Sequence, residues 1–348
     1  MNELALVSKL NTEHALTREE WIAVLNGYTP ELAEHVFELA RVWQQKYYGN
    51  QIFVRGLIEM TNYCRNDCYY CGIRRSNRNA ERYRLSREEI LACADLGYEL
   101  GYRTIVLQGG EDPFYRDEDI VDFIQSIKAA HPDCAVTLSL GERSHETYQL
   151  WHDAGADRYL LRHETADPVH YRMLHPAELS GEHRKNCLRD LKAIGYQTGA
   201  GMMIGAPGQT PETLAEDMLF LAELQPEMVG IGPFIPHHDT PFAEEPAGSV
   251  EQTLYLLGLI RLILPKVLLP ATTALGTADP LGRETGGRAG ANVVMPNLSP
   301  VDVRKKYELS DNQICTGDEA AECRFCLQNR MKAIGYEVVT DRGDYRWA

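Results

Sequence analysis

From residue 52 onward, short apolar runs rich in β-branched residues alternate with amphipathic ones. Eight runs are strand-like: 52–60, 103–108, 135–140, 158–162, 198–204, 228–232, 267–271 and 291–295. Between them apolar residues recur at helical spacing. Ile90, Ala94, Gly97 and Leu100 follow the first run, Ile120, Phe123, Ile124 and Ile127 the second, and Leu214, Met218 and Leu221 the fifth. That spacing predicts helices packed by one face. Capping residues mark their starts, as in Ser86-Arg-Glu-Glu89 and Thr210-Pro211. Eight strand–helix alternations over about 250 residues predict an α/β fold, the (β/α)8 TIM barrel. Ahead of it, Thr17–Glu20 has the capping-box form, and Pro30 opens a run with Leu32, Val36, Leu39, Ala40 and Trp43. The expected division is a helical cap over 1–50, the barrel over 51–300 and a C-terminal extension over 301–348.

Composition narrows the setting. The chain has 348 residues, 44% of them hydrophobic, enough for a full core. Its formal charge of −15 repels nucleic-acid phosphates and anionic lipid, which argues against both as partners. Mean hydropathy is −0.34, and no apolar run approaches a membrane span. The first residues lack a basic region followed by an apolar one, so no secretory signal is read. Nine cysteines without such a signal predict a reducing cytoplasm and metal rather than disulfides.

Six of the nine form two clusters: Cys64, Cys68 and Cys71, then Cys315, Cys323 and Cys326. Cys93, Cys134 and Cys187 are scattered and read as core. The first cluster follows the first strand, so in a barrel it falls on the catalytic face. It offers three thiols and no nearby His, whereas a closed zinc site wants four ligands. Three thiolates from one loop suit a [4Fe–4S] cluster that keeps one iron open. Bare cysteines or zinc remain the bland alternative.

The other strand ends carry polar residues: Gln108-Gly-Gly-Glu-Asp112, Ser139-Leu-Gly-Glu142, Arg162-His-Glu164, Gly205–Thr210, Gly232–Asp239, Thr272-Thr273 and Met295-Pro-Asn297. Gly205–Thr210 lacks the Lys of a phosphate loop and reads as a tight turn. His237-His238-Asp239 reads as a solvated loop. Arg158 and Arg162 share a face by the two-residue period of a strand. One of them could instead close an ion pair at the rim.

The C-x3-C-x2-C spacing with Tyr70 before the last Cys resembles the signature of the radical S-adenosylmethionine (SAM) superfamily. QGGED, TLSLGE, RYLLRHET, GxMMIGxPGQT, VGIGPFIPHxDTP, PATTA and the tail C-x7-C-x2-C together resemble the HydE family. Those proteins are [FeFe]-hydrogenase maturases related to biotin synthase and methylornithine synthase. The resemblance spans about residues 50–330. It implies that Cys64, Cys68 and Cys71 hold a [4Fe–4S] cluster and that SAM, bound to its open iron, is cleaved reductively to a 5′-deoxyadenosyl radical. It places Gln108, Gly109, Gly110 and Glu111 by the methionyl amine and Arg184 on the SAM carboxylate. Tyr70, Ser139, Glu164, Met203 and Tyr307 would line the nucleoside. Arg158, Arg162, Thr272, Thr273 and Met295 would line the substrate cavity. The implied substrate is a small or organometallic molecule, a cysteine-bound Fe(CO)2CN unit from a partner maturase, and an electron donor is implied too. The tail triad resembles an auxiliary site for a second [2Fe–2S] or [4Fe–4S] cluster, with zinc or reduced thiols as alternatives.

Three rivals stand beside this. Sulfur insertion as in biotin synthase needs a second cluster inside the barrel, and the scattered cysteines lack the spacing. A methylornithine synthase-like isomerase fits better, though the tail cysteines argue mildly against it. A non-catalytic cluster carrier would leave SAM untouched.

Overall fold

The structure, a computed structural model, describes residues 2–314 and 320–347. Three helices precede the first strand: α1 (Glu3–Glu13), α2 (Arg18–Asn26) and α3 (Pro30–Tyr48). Thr17 and Glu20 form the expected capping box, worth about 1 kcal/mol. The first helix, capped by Asn2, is additional to the pattern reading.

The barrel strands follow with their helices: β1 (Gln51–Val54), β2 (Gly56–Thr61), α4 (Arg87–Glu99), β3 (Thr104–Gly109), α5 (Asp117–Ala130), β4 (Ala135–Ser139), α6 (His145–Asp153) and β5 (Arg158–Leu160). Next come α7 (Pro168–Leu174), α8 (Gly181–Ile194), β6 (Gln197–Ile204), α9 (Pro211–Leu224), β7 (Met228–Pro233) and α10 (Val250–Ile263). The chain ends with α11 (Thr273–Ala278), α12 (Gly282–Arg288), β8 (Val293–Val294), α13 (Val301–Arg304), α14 (Ala320–Ala333) and β9 (Glu337–Val339).

β2 to β7 form one all-parallel sheet in sequence order. The ring then closes through short staves. Leu268 bridges to Met228 of β7, Pro270 bridges to Val293, and β8 pairs with β1. The expected first strand is thus split at Arg55 into β1 and β2. The expected seventh is reduced to two bridges around Pro270, which lacks a ladder donor. Strands and helices meet in one apolar core in which Ile58, Leu107, Leu138, Ile204, Leu256 and Leu269 are fully buried.

The tail returns to the opposite end. β9 pairs in parallel with β1, and residues 342–345 cross the N-terminal ends of the strands. Arg158, the first residue of β5, is buried there. It donates to Thr104 Oγ1 (2.8 Å), the Arg342 carbonyl (2.7 Å), Asp344 Oδ1 (2.6 Å) and Gln197 Oε1 (3.3 Å). This corrects the expectation that Arg158 lines a substrate cavity. It starts β5 at the N-terminal mouth, while Arg162 lies past the strand's C-terminal end.

Candidate active site

The cysteine loop runs from Asn62 to Arg84 between β2 and α4. Its fold is set by polar contacts that its sequence supplies. Arg82 donates to the carbonyls of Asn62, Ile73 (2.9 Å), Arg74 (2.7 Å) and Asn77 (3.0 Å). Asp67 accepts from Arg74 Nε (2.9 Å) and from Ser76 Oγ (2.6 Å) and N (3.0 Å). Burial opposes the charge on Asp67, yet these bonds hold its carboxyl at about 2. Backbone bonds tie the loop to its neighbours, from Arg65 N to the Glu111 carbonyl, Tyr69 N to Leu174 and Gly72 N to Leu309.

Two glycines allow the close approach. A Cβ on Gly110 would stand 2.1 Å from the Tyr63 carbonyl oxygen and 2.8 Å from Cys64 Cβ. One on Gly72 would stand 2.2 Å from the Glu308 carbonyl oxygen and 2.4 Å from the His237 ring. The loop is therefore clamped between the end of β3 and the segment after α13.

Cys64, Cys68 and Cys71 are half-buried free thiols on this loop. Burial pushes all three up, Cys68 to about 12, and neighbouring cysteines add to the effect at Cys68 and Cys71. A group of thiols this reluctant to ionise becomes a ligand set only around cations that offset the charge. The donor set fits an iron–sulfur cluster: three thiols, one loop, no imidazole between them.

Around the loop the strand ends converge. Tyr70 Oη donates to His175 Nε2 (3.1 Å), and His175 Nδ1 donates to the Tyr171 carbonyl (2.9 Å). These bonds fix the neutral tautomer, and burial depresses His175 to about 3. Tyr70 also borders an apolar patch of Leu174, Met203, Ala206 and Phe234. Glu111 Oε2 accepts from Arg65 Nε (2.9 Å) and its Oε1 from Glu142 N (2.8 Å). The carboxylate expected by the methionyl amine thus also braces two loops. Gln108 and Ser139 lie side by side in the β3–β4 register. Tyr307 is buried, with Glu59, Tyr83, Cys71 and Gln108 around it.

After β5 the chain turns sharply. Glu164 has φ 64°, a left-handed conformation costing about 1–2 kcal/mol, and its N–H bonds the Gly201 carbonyl (3.0 Å). His163 points into the wall and donates through Nε2 to Asp217 (3.0 Å), both side chains fully buried. Arg162 Nη2 stands 3.2 Å from Glu164 Oε2 but out of line for a hydrogen bond. Arg162 Nε and Nη2 and Glu164 Oε2 are buried with no hydrogen-bond partner among the described residues. Arg184 of α8 donates through Nε to the Arg162 carbonyl and through Nη1 to Glu142 Oε1 (3.0 Å). Burial works against its charge, but Glu142, Tyr171, Tyr70 and Glu164 raise its pKa well above the usual value. Two of its five N–H groups are engaged, so a fork remains for an anionic ligand. Unfilled donors beside an unfilled acceptor suit a zwitterionic ligand such as the methionyl end of SAM.

The model of the radical SAM superfamily matches residues 58–221, from β2 to α9. Over 310 residues the chain is 49% identical to the [FeFe] hydrogenase maturase subunit HydE of Thermotoga maritima, covering 89% of this chain and 88% of that protein.

The chain belongs to the HydE family of radical SAM enzymes.

A 3-methylornithine synthase of Methanosarcina acetivorans is 30% identical over 84% of this chain and 83% of its own. The crystal structure of methylornithine synthase superposes with a TM-score of 0.79, at 26% identity, over 96% of this chain and 97% of that one. HydE-family membership makes this protein an enzyme that uses a [4Fe–4S] cluster and SAM. No helix among the described residues is long and apolar enough to cross a membrane.

The remaining expected residues are less concentrated. Thr272 caps α11 and donates to the Ile231 carbonyl (3.1 Å), so its hydroxyl is occupied. Thr273 opens α11 beside it. Met295, past β8, packs on Tyr48, Phe53, Met228, Leu268 and Val293. Cys315 lies outside the described residues, while Cys323 and Cys326 lie on α14, with Cys326 exposed. His237 and His238 stack at 4.4 Å, and His238 Nδ1 is taken by Asp311; His238 is solvated as expected, but His237 is buried, which corrects the reading of a solvated pair. Sequence reasoning missed Glu142 as the partner of Arg184 and His175 as the partner of Tyr70. Glu142 ends a quoted strand segment, and that placement was its available signal.

Proposed function

We propose that this HydE-family enzyme acts in assembly of the [FeFe]-hydrogenase two-iron subcluster, on a cysteine-bound Fe(CO)2CN precursor. The observation that carries the reading is the 49% identity to a HydE maturase along 89% of the chain. Cys64, Cys68 and Cys71 would hold the cluster, and the cluster with SAM supplies one-electron cleavage to a 5′-deoxyadenosyl radical. The chain's own residues bind, orient and shield. Arg184 would take the SAM carboxylate with its free fork, while Glu142 keeps its guanidinium in place. Gly109, Gly110 and Glu111 would meet the methionyl amine, with Gln108 beside them, and Tyr307 would line the nucleoside. Glu164, Ser139, Tyr70 and Met203 would line the nucleoside, with the apolar patch beside Tyr70 excluding water. Arg162, Thr273, Met295 and the backbone around Thr272 would face the substrate. Closure of the opposite mouth by residues 342–345 supports this, because a primary-carbon radical must be kept from solvent. Partner maturases and an electron donor complete the setting.

The test has two arms. The reconstituted, reduced protein is assayed for 5′-deoxyadenosine from SAM. The gene is then asked to restore hydrogenase activity in cells lacking this maturase. Restoration supports the proposal. Cleavage without restoration moves the substrate toward an amino acid, as the methylornithine synthase likeness would have it. Absence of cleavage rejects the site assignment.

A further inference from the structure

α8 carries His183 and Cys187 four residues apart, on one face of the helix. The loop after β4 brings Glu142 to that face. His183 Nε2 lies 3.5 Å from Glu142 Oε2 and 3.7 Å from Cys187 Sγ, and the three donor atoms fall within 4.8 Å of one another. Tetrahedral zinc holds nitrogen and oxygen at about 2.0–2.1 Å and sulfur at about 2.3 Å, which sets neighbouring donors roughly 3.3–3.7 Å apart. The two separations centred on His183 are of that size.

We propose that Glu142, His183 and Cys187 form a binding site for a divalent cation of the zinc class, with water as fourth ligand. The donor types fit: one thiolate, one imidazole and one carboxylate. Cys187 is buried and Glu142 nearly so, while the His183 side chain is 63% exposed and leaves an entry path. Cys187, whose thiol faces the Arg143 carbonyl at 3.9 Å, releases its proton to solvent on binding. The Arg184 charge opposes a second cation. The thiolate and the carboxylate together bring the two negative charges that offset a divalent ion. Glu142 would then bridge, Oε2 on the metal and Oε1 on Arg184. The metal would brace the side chain that braces Arg184.

The test uses cluster-loaded enzyme carrying Cys315→Ser, Cys323→Ser and Cys326→Ser, so that tail thiols cannot compete. Zinc is added, loosely held metal is removed on a chelating resin, and zinc per chain is measured. About one zinc is expected to remain, with a zinc-edge absorption spectrum showing one sulfur near about 2.3 Å and nitrogen or oxygen near about 2.0–2.1 Å. His183→Ala should cut retention at least about tenfold, and Cys187→Ser should remove the sulfur shell. The exposure of His183 makes its variant safe for folding. No retained zinc, equal retention by His183→Ala, or a shell of two or more sulfurs would each overturn the site.

Discussion

Arg158 opens β5 and Arg162 lies two residues past its end, and they meet opposite fates. At the N-terminal mouth Arg158 is 1% exposed and makes four hydrogen bonds, one to the carboxylate of Asp344. At the C-terminal mouth Arg162 pairs with Glu164 at 3.2 Å, yet two of its buried nitrogens and that carboxylate oxygen make no hydrogen bond among the described residues. Buried polar groups are normally satisfied, so the deficit marks where a ligand belongs. The floor is not perfect. Arg55, beside Arg158, leaves Nε unpaired and sets Nη1 against Met228 Sδ, and burial together with Arg158 lowers its pKa. Its surroundings are closed by the tail. One mouth spends its polar groups on closure, and the other holds them in reserve.

The largest test of this contrast is at the cysteine loop. Cys68→Ala should reduce 5′-deoxyadenosine formation to the level of enzyme-free SAM and prevent incorporation of a full cluster, measured by iron content and EPR. Full activity in that variant would remove the upper mouth's claim to be the reactive one.

The arginine pair gives the next effect. Arg162→Gln should lower kcat/KM for the substrate about a hundredfold, the usual cost of one reserved donor. Its melting temperature should fall by less than that of Arg158→Gln, because Arg162 makes an ion pair with Glu164 but no hydrogen bond through Nε or Nη2. Arg158→Gln should do the reverse. Removing one member of a buried, hydrogen-bonded ion pair costs about 3 kcal/mol, a fall of about 5 °C, while cleavage per folded molecule persists. If both variants lose activity and stability alike, the two mouths are not distinct.

This pair also shows what a sequence can reveal. Period-two alternation was read across Arg158 and Arg162, but β5 ends at Leu160, and the alternation says nothing of depth along the barrel. The partner that decides the matter, Asp344, lies 186 residues away in the chain. The staves were legible because burial on both faces leaves continuous apolar runs. The short stave around Pro270 shifted from strand to bridges because closure there rests on single pairs. The cysteine loop was legible because its ligands are local in sequence. The Tyr70–His175 and Arg184–Glu142 pairs were not, being 105 and 42 residues apart.

The smallest effect separates the mouths by pH. Burial depresses His175 from 6.5 to about 3, so the folded state resists a proton that the unfolded chain accepts. A depressed histidine contributes its full stability above pH 6.5 and loses it as the pH falls toward 3. At pH 5.5 the loss is about 1.4 kcal/mol from this group. The floor contributes nothing in that interval. Asp344 is held well below the usual carboxylate range, against the opposing effect of burial, by Arg158, Arg342 and Gln197. Stability measured by denaturant between pH 7 and 5.5 should therefore fall in the parent and in Arg158→Gln by the same amount. It should fall less in His175→Gln, which keeps a polar group near Tyr70 but cannot take up the proton. Equal slopes in all three proteins would mean that acid acts elsewhere, and the Tyr70–His175 contact would lose its role as the titrating brace of the upper mouth.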